Sequence, residues 1–219
     1  MHNSIFVKWQ ILFHVICSFN SEIEAMFNEC EKIHDVYLRA AISSLFEDYH
    51  RLEQREKELS EKIESLNKDN ELVKIALTCP GVGPLTASAI VAEVGDASQF
   101  RNGREMAAWN GVVPSQHSTG GRSTLGGITK TGNRYLRTLL AQCASAVIQK
   151  ASRHLEQGKD THLDRFALRL KLNGKPAKKI MIAVANKIIR ILWAMLTQRK
   201  TFKNKADETS DISAELQLA

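Results

Sequence analysis

The sequence has little of what would tie it to several large classes of protein. Its four cysteines, Cys17, Cys30, Cys79 and Cys143, lie far apart with no CxxC pair. That argues against a disulfide framework or a zinc site and for a reducing compartment. Four prolines and twelve glycines in 219 residues exclude collagen-like and low-complexity chains, and they fit a turn-rich β-sandwich poorly. Aromatic residues are only 6% of the chain, and long Leu, Ile, Ala, Lys and Glu stretches favour helices. Apolar runs are short. The stretch from Trp9 to Phe19 is broken by Gln10 and His14 and is too short to span a bilayer. It also lacks the basic lead and small-residue cleavage site of a signal peptide. The expectation is a cytoplasmic protein with no membrane partner, large enough for one medium domain or two small ones.

Charge is plentiful and unevenly placed. Residues 1–96 carry 9 basic and 16 acidic residues, whereas residues 97–205 carry 21 basic residues against 4 acidic ones. The last fourteen residues hold 4 acids and no base. A field of one sign over about a hundred residues is the footprint of a polyanionic partner, and DNA is the expected one.

From Leu38 the apolar positions step by four and three through Ile42, Leu45, Tyr49, Leu52, Leu59, Ile63, Leu66 and Val73. This is a heptad seam, interrupted by Glu56 and Asn70 at two a positions. It predicts one or two long helices that pair with each other, with a second copy or with a missing part of the chain, with Asn70 as a register-fixing polar residue. Further helices are predicted over residues 85–94, 101–110, 133–155 and 160–172, and from Pro176 to about Gln198. Residues 114–133, rich in Gly, Ser and Thr, read as a long loop of the kind that is usually functional or disordered. The expected fold is all-α. Its segments are residues 1–37 without a match, a coiled-coil linker over 38–76, a compact helical domain over 77–205, and an acidic tail over 206–219.

Two constellations carry chemistry. Thr78-Cys79-Pro80-Gly81-Val82-Gly83-Pro84 reads as the turn of a helix-hairpin-helix, in which outward amides at Val82, Gly83 and the start of the second helix, with that helix's dipole, would hold a phosphate oxygen. Such a grip positions DNA without reading its sequence. The second is Ser115-Gln116-His117-Ser118-Thr119-Gly120-Gly121-Arg122, followed by Lys130, Arg134 and Arg137. A serine hydroxyl can attack phosphorus if its proton is removed and cations hold the growing charge. His117 is a weak choice for the base, since adjacent residues seldom aim at one another.

These motifs occur together in a recognisable order. The Pro-Gly-Val-Gly turn, Glu93-Val94-Gly95-Asp96, Ala107-Ala108-Trp109-Asn110-Gly111-Val112-Val113-Pro114, and Gly127 through Arg137 resemble the C-terminal transposase domain of the insertion-sequence family 110 recombinases. That family includes pilin-inversion recombinases. The resemblance implies DNA transposition or site-specific recombination, with a serine that joins covalently to DNA. Here that serine falls on Ser118, with Ser123 as the nearest rival. DNA contacts are expected from Gly81, Val82, Gly83, Arg122, Lys130, Arg134 and Arg137. It also implies a guide RNA, a homo-oligomer through the coiled coil, and Mg²⁺ held by the acids of a separate RuvC-like domain. Glu22, Glu24, Glu29, Glu31 and Asp35 lie too close together in sequence to be such a metal set, so no metal ligands and no cofactor are expected in this chain. The reading is a transposase fragment lacking that domain and inactive alone. The alternative is a non-catalytic DNA-binding module that regulates or competes with complete transposase.

Overall fold

A computed structural model describes residues 36–119 and 122–204. Seven helices and one two-stranded sheet lie among them, which makes the fold all-α apart from a single hairpin. Expectations about the N-terminal acids and the acidic tail fall outside the described residues. The chain divides between Lys62 and Ile63 into two compact units.

Helix α1 spans Val36–Asn67, and none of its 32 residues is buried. Pairs one turn apart support it, such as Arg51–Asp48 at 2.9 Å and Arg55–Glu58 at 3.4 Å. Leu45, Leu52, Leu59 and Leu66 recur every seven residues and are exposed. The seam ends there. Asn70 does not continue it as a register residue but caps α2 (Glu71–Leu77), its side chain accepting from Leu72 N at 3.0 Å and Val73 N at 3.3 Å. Asparagine is a weak helix-interior residue and a strong N-cap, so the break falls where its side chain can satisfy orphan amides. Val73, expected in the seam, is instead buried in the core of the second unit.

That unit continues with α3 (Pro84–Val94), α4 (Gly103–Trp109), α5 (Arg134–Glu156), α6 (His162–Leu172) and α7 (Ala177–Gln198). Asn102 and Asn133 cap α4 and α5, and Thr161 with Asp164 forms a capping box on α6. Pro176, expected as the first helical residue, precedes α7 by one place. By length and composition α7 could cross a membrane, yet it buries eight residues, among them Val184, Ile188 and Leu192. They pack against α2, α4, α5 and α6. After α7 the chain returns over the domain: Phe202 N donates to Thr78 Oγ1 at 2.9 Å, and the Phe202 ring stacks on His162 at 5.3 Å.

Residues 114–133 depart from the expected loop. They contain β1 (Pro114–Thr119) and β2 (Arg122–Ile128), paired antiparallel, with a register shift between Pro114 and Gln116. The strand residues are mostly Ser, Thr, Gln, His and Gly, so the segment has no apolar alternation to read in the sequence.

Candidate nucleic-acid interface

The hairpin is anchored at its root by backbone pairing and by side-chain bonds from two helices. Thr129 N donates to Val113 O at 3.0 Å and Lys130 N to Gly111 O at 3.2 Å, carrying the pairing down below the strands. Asn186 of α7 donates to Val112 O at 3.2 Å. Arg137 of α5 donates through Nη1 to Asn110 O at 2.9 Å and to Thr131 O at 2.8 Å. The two approaching segments touch at Gly111, where an added Cβ would strike the Thr131 backbone, and at Gly132, where it would strike Trp109 O. Both glycines have positive φ, so glycine is needed twice over. At the same root the Asn110 side chain is fully buried, with neither Nδ2 nor Oδ1 hydrogen-bonded among the described residues. An unmet buried polar group costs about 1–3 kcal/mol, and native proteins tolerate that cost where geometry is held for function.

Ser118 lies on β1, paired in register with Ser123 on β2, so the expected nucleophile and its rival are cross-strand partners. His117 pairs with Thr124, and Thr119 with Arg122. The side chains of Ser118, Ser123 and Arg122 lie outside those described. Lys130, at φ 59°, and Arg134 are exposed beside the root. Arg134 opens α5, where the helix dipole disfavours a cation unless an anion joins it. The Arg137 guanidinium holds the two halves of the hairpin root together through Nη1.

The Pro-Gly-Val-Gly turn packs closely against α5. Val82 is buried, and its amide donates to Cys79 O at 3.1 Å. Gly81 is pressed onto α5, where a Cβ would meet Cys143 O at 2.7 Å. Burial raises the Cys143 thiol, opposed by hydrogen bonding from Thr86 and from the Gly83 amide. The Val82 and Gly83 amides are thus turned into the protein, and the turn serves close helix packing. Cys79 beside it is pushed up to about 12 by burial and by Cys143, which leaves it an inert thiol.

A feature that no motif marked lies next to the hairpin root. A groove of about 1380 Å³ runs from Pro114, Gly127 and Ile128 along α6 and α7. Arg104, Arg169, Lys178, Lys179, Lys187 and Arg190 line it without a single acid. None of the six makes an ion pair among the described residues. Sequence reading registered the basic excess of residues 97–205 but could not place it, because these residues come from three separate helices.

Comparison with known proteins now bears on the site. Residues 73–159 match the model of the transposase family IS116/IS110/IS902. The chain carries a transposase domain of that family. It is 40% identical over 162 residues to a probable family 20 transposase of Pseudomonas aeruginosa, covering 74% of this chain and 46% of that protein. It is 34% identical over 169 residues to the transposase for insertion sequence element IS1328 of Yersinia enterocolitica, covering 76% and 48%. The pilin gene-inverting protein of Moraxella bovis is 27% identical over 143 residues, covering 64% and 41%. The chain thus spans less than half the length of these relatives. The matched region takes in the Pro-Gly-Val-Gly turn, the whole hairpin and its Arg137 clamp.

Proposed function

We propose that this chain is the serine-bearing, DNA-contacting part of a transposase or recombinase, with Ser118 as the nucleophile. The observation that carries the reading is the hairpin: a two-stranded ribbon bearing a serine, fixed at its root by Arg137 and Asn186 and flanked by Lys130 and Arg134. The Ser118 hydroxyl attacks a backbone phosphorus, an O–P bond to serine forms, and the P–O bond to the leaving strand breaks. The serine proton passes to the departing oxygen through whatever base stands near. The phosphoserine link keeps the energy of the phosphodiester, so rejoining to another strand needs no ATP. Arg122, Lys130 and Arg134 hold phosphates around the reacting one.

A Mg²⁺ ion does not fit this part of the protein. Among the described residues no three His, Cys, Asp or Glu converge, and the charged side chains lining the groove are all cations. No step is therefore routed through a metal here; by the resemblance, its ligands belong to a RuvC-like domain. A guide RNA and self-association through Leu45, Leu52 and Leu59 of α1 belong to the same reading. The exposed heptad spacing supports the latter.

The test is a denaturing gel of labelled DNA mixed with this chain and a RuvC-like domain from a complete relative, with its guide RNA. A covalent adduct lost in Ser118→Ala and kept in Ser123→Ala supports the reading. Loss in Ser123→Ala alone moves the nucleophile to the facing strand. DNA bound without any adduct leaves only the regulatory, non-catalytic module.

A further inference from the structure

The groove along α6 and α7 is built differently from a plain cationic surface. Its floor is apolar, with Ile182, Ala183, Ile191, Trp193 and Phe166, while its rim carries the six cations. Lys187 is half-buried, with its ammonium 4.2 Å above the Phe166 ring, and Arg169 stands 5.9 Å from the same ring. Burial, and then Arg169 and Arg190, hold the Lys187 ammonium below the usual lysine range. Trp193 is fixed in place by a 3.1 Å hydrogen bond from Nε1 to Phe100 O. Six like charges with no carboxylate among them call for an anion.

The shape says which anion. A duplex offers its phosphates outward and its bases inward, so it would satisfy the rim and leave the apolar floor uncovered. A single strand satisfies both, with phosphates on the cations and bases on the aromatic and aliphatic surface. We propose that this groove binds a single-stranded segment of DNA, with one base stacked on Phe166 where the Lys187 ammonium now sits and Lys187 moved onto a neighbouring phosphate. The choice of DNA rests on the strand-exchange reading above, because the groove opens at the hairpin root. The preference for a single strand does not depend on it.

Fluorescence anisotropy of the full 219-residue chain with oligothymidylate, oligouridylate of equal length and a DNA duplex tests this. Phe166→Leu keeps the apolar bulk and removes the stacking face. It should weaken oligothymidylate about tenfold and duplex by no more than about twofold. Lys187→Gln and Arg190→Gln should each weaken oligothymidylate and lower its salt slope by about one. Thermal melts of each variant identify any that fails to fold, and the two polar replacements keep the test open if Phe166→Leu does. Equal losses for single strand and duplex, or no loss for either, overturn the proposal. Tighter binding of oligouridylate than of oligothymidylate overturns the assignment to DNA. A chain that forms no serine adduct yet shows this pattern loses the strand-exchange reading and keeps the groove; an adduct without any Phe166 effect does the reverse.

Discussion

Two long helices of this protein put similar local signals to opposite uses. Helix α1 is 32 residues long and buries none of them, whereas α7 is 22 residues long and buries eight. Along α7 the buried positions Ile180, Val184, Ala185, Ile188, Ile189, Leu192, Met195 and Leu196 form a broad stripe suited to several surrounding helices. Along α1 the leucines keep a strict seven-residue step, a narrow seam suited to one partner helix. The width of the apolar stripe therefore tells the core helix from the one whose seven-residue leucine row is exposed. Hydropathy alone ranks them misleadingly, since α7 has the composition of a membrane span.

This contrast can be broken in graded steps. Ile188→Asp in α7 places a carboxylate at a fully buried position, and the second unit should fail to fold, with loss of its cooperative melt. Leu52→Asp with Leu59→Asp in α1 should convert an oligomer to monomers in sedimentation velocity while leaving that melt unchanged. Wild-type protein already monomeric at its highest soluble concentration would instead deny α1 a second copy as its partner. Arg137→Ala should cost about 2 kcal/mol in urea melts, because two backbone carbonyls lose a charged donor. Its larger effect should be on the hairpin, seen as faster amide exchange at Thr129 and Lys130.

The smallest effect concerns Cys79. Its thiol has an ordinary value of 9.0 and is pushed up to about 12 in the folded protein. The folded state keeps the proton while the unfolded thiol ionises, so the contribution is whole below pH 9 and fades as pH rises toward 12. The expected loss is about 1 kcal/mol by about pH 10, and Cys79→Ala should flatten that slope. An unchanged slope would place the titration elsewhere.

Much of the helical frame was legible because it is written in local chemistry. Asn102, Asn133 and Thr161 announce helix starts, and Gly95 and Gly111 mark stops. The motif order around Ser118 was legible for the same reason, being contiguous in sequence. The hairpin was not, since its strands are mostly Ser, Thr, Gln, His and Gly and carry no apolar alternation. The close packing of Gly81 on Cys143 and Val147 was not legible either, because those residues lie far along the chain. Arg137 and the groove cations depend on residues far along the chain: Arg137 reaches back 27 residues to Asn110, and Arg104 of α4 and Arg190 of α7 line the same groove. The close approach there is made by Gly103, where a Cβ would sit 3.0 Å from Arg190 Cα.

The central claim is that the hairpin serine joins to DNA, and the most direct measurement is the identity of the residue that carries nucleotide in a trapped adduct. Digestion of that adduct followed by tandem mass spectrometry should place the nucleotide on Ser118. Nucleotide on a residue outside the hairpin, such as the exposed Tyr135 at the start of α5, would contradict the account.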